Sequence, residues 1–220
     1  MKERIRNNIT ELVFILDKSG SMSGMEADTI GGFNSMIEKQ RDGEGKVLVS
    51  TVMFSNHSEV VHDRASLEEI KPLTEEDYVT NGMTALLDAI GGAIHHIGNV
   101  HKYARAEDVP EHTIFIITTD GMENASRKYS SNKIKEMIKR QEEKHGWEFL
   151  FVAANIDAIE TAENIGIRRE RAANYDVPTG TGVLYCEMAE TVKQYRAKGV
   201  IREDWSDNIE ITAKKAGGKK

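Results

Sequence analysis

Five oxygen-bearing side chains of this 220-residue chain stand where regular elements begin or end. Asp17, Ser19 and Ser21 occupy alternate positions in one short segment that follows an apolar run. Alternate residues of an extended segment point to the same side, so these three oxygen atoms can converge. Thr84 lies at the start of an amphipathic run, and Asp120 ends a second apolar run. The five side chains could therefore line one polar site.

The donor types indicate which chemistry such a site would perform. Two carboxylates and three hydroxyl groups, without sulfur or imidazole, suit a hard divalent cation better than they suit zinc. Cys186 is the lone cysteine, which excludes a cysteine-based zinc cluster, and no His-Glu-x-x-His motif occurs. We therefore expect one Mg²⁺ or Mn²⁺ ion to be held by Asp17, Ser19, Ser21, Thr84 and Asp120.

Each of these residues also has an ordinary structural explanation. Ser19 and Ser21 are typical of the caps of a strand-to-helix turn. Thr84 alone could be an N-terminal helix residue, and Asp120 with Gly121 forms a common turn pair. The metal interpretation depends on the five occurring together, each at the end of its expected element.

The elements that must position these residues follow from the spacing of apolar positions. Short apolar or alternating runs predict strands, and apolar positions with helical spacing predict helices. The predicted strands cover residues 11–17, 46–54, 59–62, 113–120, 147–153 and 171–177, and the predicted helices cover residues 25–40, 84–97, 131–145, 158–164 and 181–196. Capping-box spacing at residues 66–69 and 74–77 predicts two short helical turns.

This alternation of strands and helices predicts an α/β fold, a doubly wound, Rossmann-like three-layer sandwich with a mostly parallel central sheet. A hairpin-sized connection before residues 59–62 predicts that this short strand pairs antiparallel at one edge. Ligands of such sheets bind beyond the carboxyl ends of the strands, where the strand order reverses. The loops after the first and fourth predicted strands are therefore the expected location of the site.

Two adjacent glycines in the predicted first helix need an explanation. Gly31 and Gly32 interrupt the predicted first helix, where each glycine costs roughly 1 kcal/mol relative to alanine. A close approach of another backbone would explain them.

Met22 and Met83 flank the predicted site. Each is expected either to form part of a soft contact rim for a partner or to fill the core.

Composition restricts the class of partner and the compartment. Lys and Arg number 29 and Asp and Glu number 36, so the formal net charge is −7, which disfavours nucleic acid as a partner. No apolar run approaches the ~20 residues of a membrane span. The run at residues 12–16 is too short for a secretory signal, and the N-terminal segment has no small-residue cleavage site. Together with the single cysteine, these features predict a cytoplasmic protein without a membrane span.

The motif residues resemble those of the von Willebrand factor A domain family, in particular a stand-alone intracellular member of bacterial type. The family's metal-ion-dependent adhesion site has a first loop Asp-x-Ser-x-Ser and takes a Thr and an Asp from other loops. All five positions match here, as Asp17, Ser19, Ser21, Thr84 and Asp120. The resemblance covers roughly residues 10 to 195. It implies a domain at residues 1–196 and a C-terminal segment at 197–220, partly packed and then a flexible Lys/Gly tail.

The resemblance also implies a function. Both serines, and Thr84 in a ligand-engaged state, would touch the metal directly, and Asp17 and Asp120 would act largely through metal-bound water. The ion would remain under-neutralised and would capture an Asp or Glu side chain of a partner protein. The expected function is therefore a metal-dependent protein-binding module and not an enzyme. Two alternatives remain open, a metal-assisted phosphoester hydrolase and a component of a nucleoprotein complex.

Overall fold

The computed structural model describes residues 7–217, apart from the side chains of residues 177–179 and 216–217. Lys219 and Lys220 of the predicted tail lie outside the described residues. The strands are β1 (Ile9–Asp17), β2 (Lys46–Phe54), β3 (Ser58–Ser66), β4 (His112–Thr119), β5 (Glu148–Ala153) and β6 (Ala172–Asn174). The helices are α1 (Glu26–Arg41), α2 (Leu86–Tyr103), α3 (Ser131–His145), α4 (Ala158–Ile165), α5 (Val177–Lys198) and α6 (Asp207–Gly217).

The strands form one sheet in the order β3-β2-β1-β4-β5-β6. β1 pairs in parallel with β2 on one side and with β4 on the other, and β5 and β6 continue the parallel pairing beyond β4. β3 runs antiparallel to β2 and forms one edge. The predicted architecture, a mostly parallel sheet with one antiparallel edge strand, is confirmed.

The side chains of β1 show how the sheet is covered on both faces. Leu12, Phe14 and Leu16 belong to the core on one face, which also contains residues of α1, α5 and α6. Val13 and Ile15 belong to the core on the other face, with residues of α2, α3 and α4. Successive strand residues point to opposite faces. A strand buried on both faces is therefore continuously apolar, as the sequence of β1 is.

Some element boundaries differ from those predicted. Helix α2 begins at Leu86 because the backbone of Thr84 bonds to another loop. The backbone amide of Thr84 donates to the side-chain oxygen of Asn124 at 2.9 Å, and its backbone carbonyl accepts the backbone amide of Asn124 at 3.0 Å. Strand β3 extends to Ser66, and β6 has three residues because α5 begins at Val177. A short helical turn forms at Leu67–Glu69 as predicted, whereas residues 75–77 form a plain turn.

The two glycines of α1 face different surroundings. A Cβ built on Gly32 would lie 2.0 Å from the ring of Tyr185, a residue of α5, whereas a Cβ on Gly31 would meet nothing within 4 Å. The close approach expected from the sequence therefore involves an aromatic side chain and only Gly32, so the expectation of a neighbouring backbone is wrong. The glycine allows α1 and α5 to pack closely on one face of the sheet.

The two edges of the sheet differ in length. β3 has nine residues, its pairing with β2 shows register shifts near Thr51, and its Arg64 has a positive φ of 50°. Glu59 and Asp63 add acidic side chains to this strand. β6, at the other edge, has three residues.

The C-terminal segment packs against the face that carries α1 and α5. Ile201, Trp205 and Ile209 are each at most 4% exposed and belong to the core of that face. The indole Nε1 of Trp205 also donates to the carbonyl of Glu170 at 2.8 Å. None of the described helices is both long and apolar enough to cross a membrane.

Candidate metal centre

The loops after β1 and β4 meet at one end of the sheet. Asp17 is the last residue of β1, Asp120 follows β4 directly, and these two strands are hydrogen-bonded neighbours. The chain leaves β1 toward β2 on one side of the sheet, while β4 lies on the other side, so the strand order reverses at this point. Parallel strands end at the same edge, and this edge is therefore where a ligand site is expected.

Four of the five predicted residues form a continuous set of hydrogen bonds. The carboxylate Oδ1 of Asp17 accepts the backbone amide of Ser19 at 2.7 Å. The hydroxyl groups of Ser19 and Ser21 lie 3.0 Å apart. Ser21 Oγ then donates to Oδ1 of Asp120 at 2.6 Å. The structure thus brings together residues separated by about a hundred positions in the chain, as the sequence predicts.

Gly121 shows that Thr84 joins the same cluster. A Cβ built on Gly121 would lie 2.7 Å from Thr84 Oγ1, 2.9 Å from Ser21 Oγ and 3.6 Å from Ser19 Oγ. Three hydroxyl oxygens from two separate loops therefore lie within 3.6 Å of one point beside Gly121, and a side chain at that point would overlap two of them. Oxygen donors around a small space next to two carboxylates fit a hard divalent cation.

Backbone hydrogen bonds hold the first loop against the loop that leads to α2. The amide of Gly20 donates to the carbonyl of Gly82 at 2.9 Å, and the amide of Asn81 donates to the carbonyl of Lys18 at 2.9 Å. Gly82 has a φ of 75°, a conformation that L side chains rarely adopt. These bonds set the position of Ser19 and Ser21 relative to Thr84 without using any of the three hydroxyl groups.

Two acidic side chains fasten the loop that follows Asp120 onto the start of α2. Glu123 accepts the backbone amides of Leu87, Ala125 and Ser126 at 2.7–2.9 Å. Asp88 accepts the backbone amides of residues 127, 128 and 129 at 2.9–3.0 Å. Burial acts to raise the pKa of Asp88, but its three amide donors together hold that pKa below the ordinary value. Both carboxylates therefore position the loop that carries Gly121.

Asp17 and Asp120 are buried carboxylates with little compensating charge. Asp17 is 0% and Asp120 is 5% exposed. Burial raises the pKa of both groups above the ordinary value, and for Asp17 the nearby charge of Asp120 adds to this effect. Hydrogen bonds from Thr119 and Ser19 to Asp17, and from Ser21 and Asn155 to Asp120, oppose the rise. Within residues 7–217, neither Asp forms an ion pair with a basic side chain. A bound cation would supply the missing positive charge.

Three residues that support the cluster are missed by the sequence analysis. Thr119 Oγ1 donates to Oδ2 of Asp17 at 2.6 Å, and the Tyr78 hydroxyl donates to the backbone carbonyl of Asp17. The third residue is Asn155, whose side chain bonds to Asp120. It follows β5 at the same end of the sheet, a position that could have identified it. The sequence does not distinguish Thr119 from other β-branched strand residues. No sequence pattern predicts the contact between Tyr78 and Asp17, which are 61 positions apart.

Of the two methionines predicted to flank the site, one fills the core and the other lies at the surface. Met22 is 1% exposed and fills the core, whereas Met83, next to Thr84, is 51% exposed. Met122, which follows Gly121, is 72% exposed and was not expected at the rim. Two flexible apolar side chains thus flank the hydroxyl cluster at the surface.

Comparisons with known proteins identify the fold. No protein-family model matches the sequence, and a search of curated proteins finds no match. Among solved structures, a von Willebrand factor type A protein from Catenulispora acidiphila aligns with a TM-score of 0.58 and 14% identity, over 84% of this chain and 42% of that one. The manganese-loaded TRAP protein of Plasmodium vivax aligns with a TM-score of 0.56 and 14% identity, over 80% of this chain and 72% of that one.

A third similar structure is proximal thread matrix protein 1 from the mussel byssus, with a zinc-occupied MIDAS motif. It aligns with a TM-score of 0.56 and 17% identity, over 85% of this chain and 46% of that protein. The chain thus spans less than half the length of the mussel and Catenulispora proteins. The strand order, the antiparallel edge and these three similarities together show that the chain has the fold of a von Willebrand factor A domain.

Proposed function

We propose that the protein is a member of the von Willebrand factor A family and that Asp17, Ser19, Ser21, Thr84 and Asp120 form a metal-ion-dependent adhesion site for Mg²⁺ or Mn²⁺. The observation that carries the proposal is the convergence of three hydroxyl oxygens on one point beside Gly121. The two buried carboxylates beside this point, neither of them paired with a basic side chain among the described residues, support it.

The proposed function is the capture of an acidic side chain of a partner protein. The bound cation would supply positive charge with a coordination position open to the partner's carboxylate. Ser19, Ser21 and Thr84 contribute uncharged oxygens, so the negative charge of the cluster comes from Asp17 and Asp120 alone. Exposed Met83 and Met122 offer apolar contacts on either side of this position. The matching ligand is an Asp or Glu side chain with an apolar neighbour.

Binding rather than catalysis is proposed because the cluster has no evident nucleophile and base. The hydroxyl groups of Ser19 and Ser21 bond to each other and to Asp120. Among the described residues, no histidine or lysine side chain hydrogen-bonds to either of them. Cys186 is free and exposed, which is compatible with the reducing cytoplasm that we propose as the protein's location.

Metal binding is the first property to test, by thermal unfolding and by electron paramagnetic resonance of Mn²⁺. Mg²⁺ or Mn²⁺ at ~100 times its Kd should stabilise the wild type by about 2.7 kcal/mol, and EDTA should reverse this. Ser21→Ala removes one oxygen of the cluster and should weaken Mn²⁺ binding at least about tenfold. Ser23→Ala is the matched control, because Ser23 is an exposed serine of the same loop that bonds to Thr80. Equal Mn²⁺ affinity in the two variants would contradict the proposed site.

Partner capture is tested separately with the immobilised protein in native lysate. Partners that bind through the cation should be retained in Mg²⁺, released by EDTA and absent from a Thr84→Ala column. Peptides from those partners should lose binding when one Asp or Glu is changed to the amide. Partners that remain bound in EDTA and also bind Thr84→Ala would refute capture through the cation, even if the metal itself binds.

A further inference from the structure

A groove of about 850 Å³ lies between α2 and α3, and none of the five proposed metal ligands lines it. Its lining includes Glu111 and Trp147, which immediately precede β4 and β5. The groove therefore opens at the amino ends of the strands, whereas Asp17 and Asp120 lie at the carboxyl ends. Its volume is within the range of about 300–1,000 Å³ that is usual for small-molecule sites.

Basic side chains outnumber acidic ones in the lining of the groove, although the chain as a whole is acidic. Its ionisable lining includes four cationic side chains, Lys102, Lys133, Arg140 and Lys144, against one carboxylate, that of Glu111. The formal net charge of the whole chain is −7. Arg140 and Lys144 form no ion pair with any residue that the structure describes. Lys133 pairs with Glu136 at 3.4 Å, so Arg140 and Lys144 supply the unpaired positive charge of this concave site, and such charge attracts anions.

The floor of the groove is apolar and closely packed. Ile94, Met137 and Trp147 contribute to it, and Ile94 and Trp147 are at most 2% exposed. The Trp147 ring stacks on Phe115 with ring centres 5.3 Å apart and meets the edge of His101 at 5.4 Å. These contacts hold the indole in place, so the small part of it that lines the groove is fixed, and Met137 supplies further apolar surface there.

Gln141 provides a directional polar group in the same lining. Its side-chain oxygen Oε1 is buried and has no hydrogen-bond partner among the described residues. A buried acceptor without a donor is energetically unfavourable. A ligand that presents an N–H or O–H group at this point would satisfy the amide oxygen.

We propose that this groove binds a small organic anion with an apolar ring system and an N–H or O–H donor. The cations at the rim would hold the negative group, Trp147 and Met137 would contact the ring, and Gln141 would accept the donated hydrogen. This site is independent of the proposed metal centre, so its failure would leave the metal proposal untouched.

A pair of probes that differ in charge tests the anion preference. 8-Anilinonaphthalene-1-sulfonate carries a sulfonate, two aromatic systems and an N–H donor, and N-phenyl-1-naphthylamine is the same molecule without the sulfonate. Fluorescence titration and calorimetry on the full chain should show one sulfonate probe per protein, with the neutral probe bound about tenfold more weakly or worse. Equal affinity for the two probes, or several sulfonate probes per protein, would overturn the proposal.

Substitutions at two glycines of α2 test where the probe binds. A Cβ on Gly98 would meet Gln141 Nε2 at 3.4 Å and Trp147 at 3.9 Å, which is ordinary contact, whereas a Cβ on Gly92 would meet nothing within 4 Å. Gly98→Leu should fill the groove and reduce sulfonate-probe affinity at least about tenfold, and Gly92→Leu should leave it within about twofold of the wild type. Equal effects of the two would place the probe elsewhere and refute the site.

Charge reversal on α3 provides a second test, in case Gly98→Leu fails to fold. Arg140→Glu changes a groove cation, and Lys139→Glu makes the same change in net charge at an adjacent exposed residue outside the groove. Only Arg140→Glu should weaken the sulfonate probe, by about fivefold or more, and neither variant should change the affinity of the neutral probe. Equal weakening by both variants would show only long-range attraction and would overturn the proposal.

Discussion

Asp17 and Asp120 lie next to each other where little water reaches them. Burial raises the pKa of both groups, so the folded protein without a cation holds two carboxylates in unfavourable surroundings. Thr119 and Ser21 offset part of this through hydrogen bonds at 2.6 Å. Buried carboxylates with little compensating charge are more typical of a binding site than of a structural core.

Asp120→Asn should separate stability from metal binding. The amide keeps an acceptor for Ser21 and removes the buried charge, so in EDTA at neutral pH the variant should be more stable by about 1 kcal/mol, which corresponds to about 2–4 °C in Tm. The same change should abolish stabilisation by Mg²⁺. Thermal unfolding with Mg²⁺ and with EDTA measures both effects. A variant that is still stabilised by Mg²⁺ would argue against a role of Asp120 in the site.

The stability advantage of Asp120→Asn over the wild type in EDTA should depend on pH. Because the pKa of Asp120 is higher in the folded than in the unfolded state, the folded wild type binds the proton more tightly. The penalty of the ionised group is therefore fully present above the folded-state pKa and disappears as the pH falls toward the unfolded-state value. The two proteins should converge in Tm on acidification in EDTA. A difference that grows at low pH would show that burial is not the cause.

At the scale of elements, the convergence of the five residues was predictable because each lies where a regular run ends or begins. The apolar runs before Asp17 and Asp120 predict two parallel strands, and parallel strands end at one edge. The exact start of α2 was not predictable, since it depends on hydrogen bonds between Thr84 and Asn124, 40 positions later. Contacts of this kind follow from the packing of loops and leave no periodic pattern in the sequence.

The adjacent glycines of α1 allow a test of helix packing. Gly31→Ala should stabilise the protein by about 1 kcal/mol, because alanine favours the helix and the new Cβ meets open space. Gly32→Ala should destabilise it, because the Cβ would overlap the ring of Tyr185 on α5. Chemical denaturation of both variants measures the difference. Similar stabilisation by both changes would mean that α1 and α5 can separate without loss of stability.

At the scale of the molecule, the question is whether the C-terminal segment belongs to the domain. The sequence predicts a domain at residues 1–196 followed by a partly packed segment, and Ile201, Trp205 and Ile209 of that segment lie in the core of the face that carries α1 and α5. A chain ending at residue 199 would lose these three apolar side chains, each worth roughly 1.5–3 kcal/mol when buried. We therefore expect a loss of about 5 kcal/mol in the free energy of unfolding by urea denaturation. An unchanged free energy would establish residues 197–220 as a separate segment.

The irregular β3 edge and the three-residue β6 edge also affect how copies of this protein meet. A long, flat and regular edge strand offers free backbone groups that a strand of another molecule can extend. Strand β3 has register shifts in its pairing, a positive φ at Arg64 and acidic side chains. Strand β6 is too short to pair stably with a strand of a second molecule. Such borders disfavour the edge-to-edge pairing of two copies into one extended sheet.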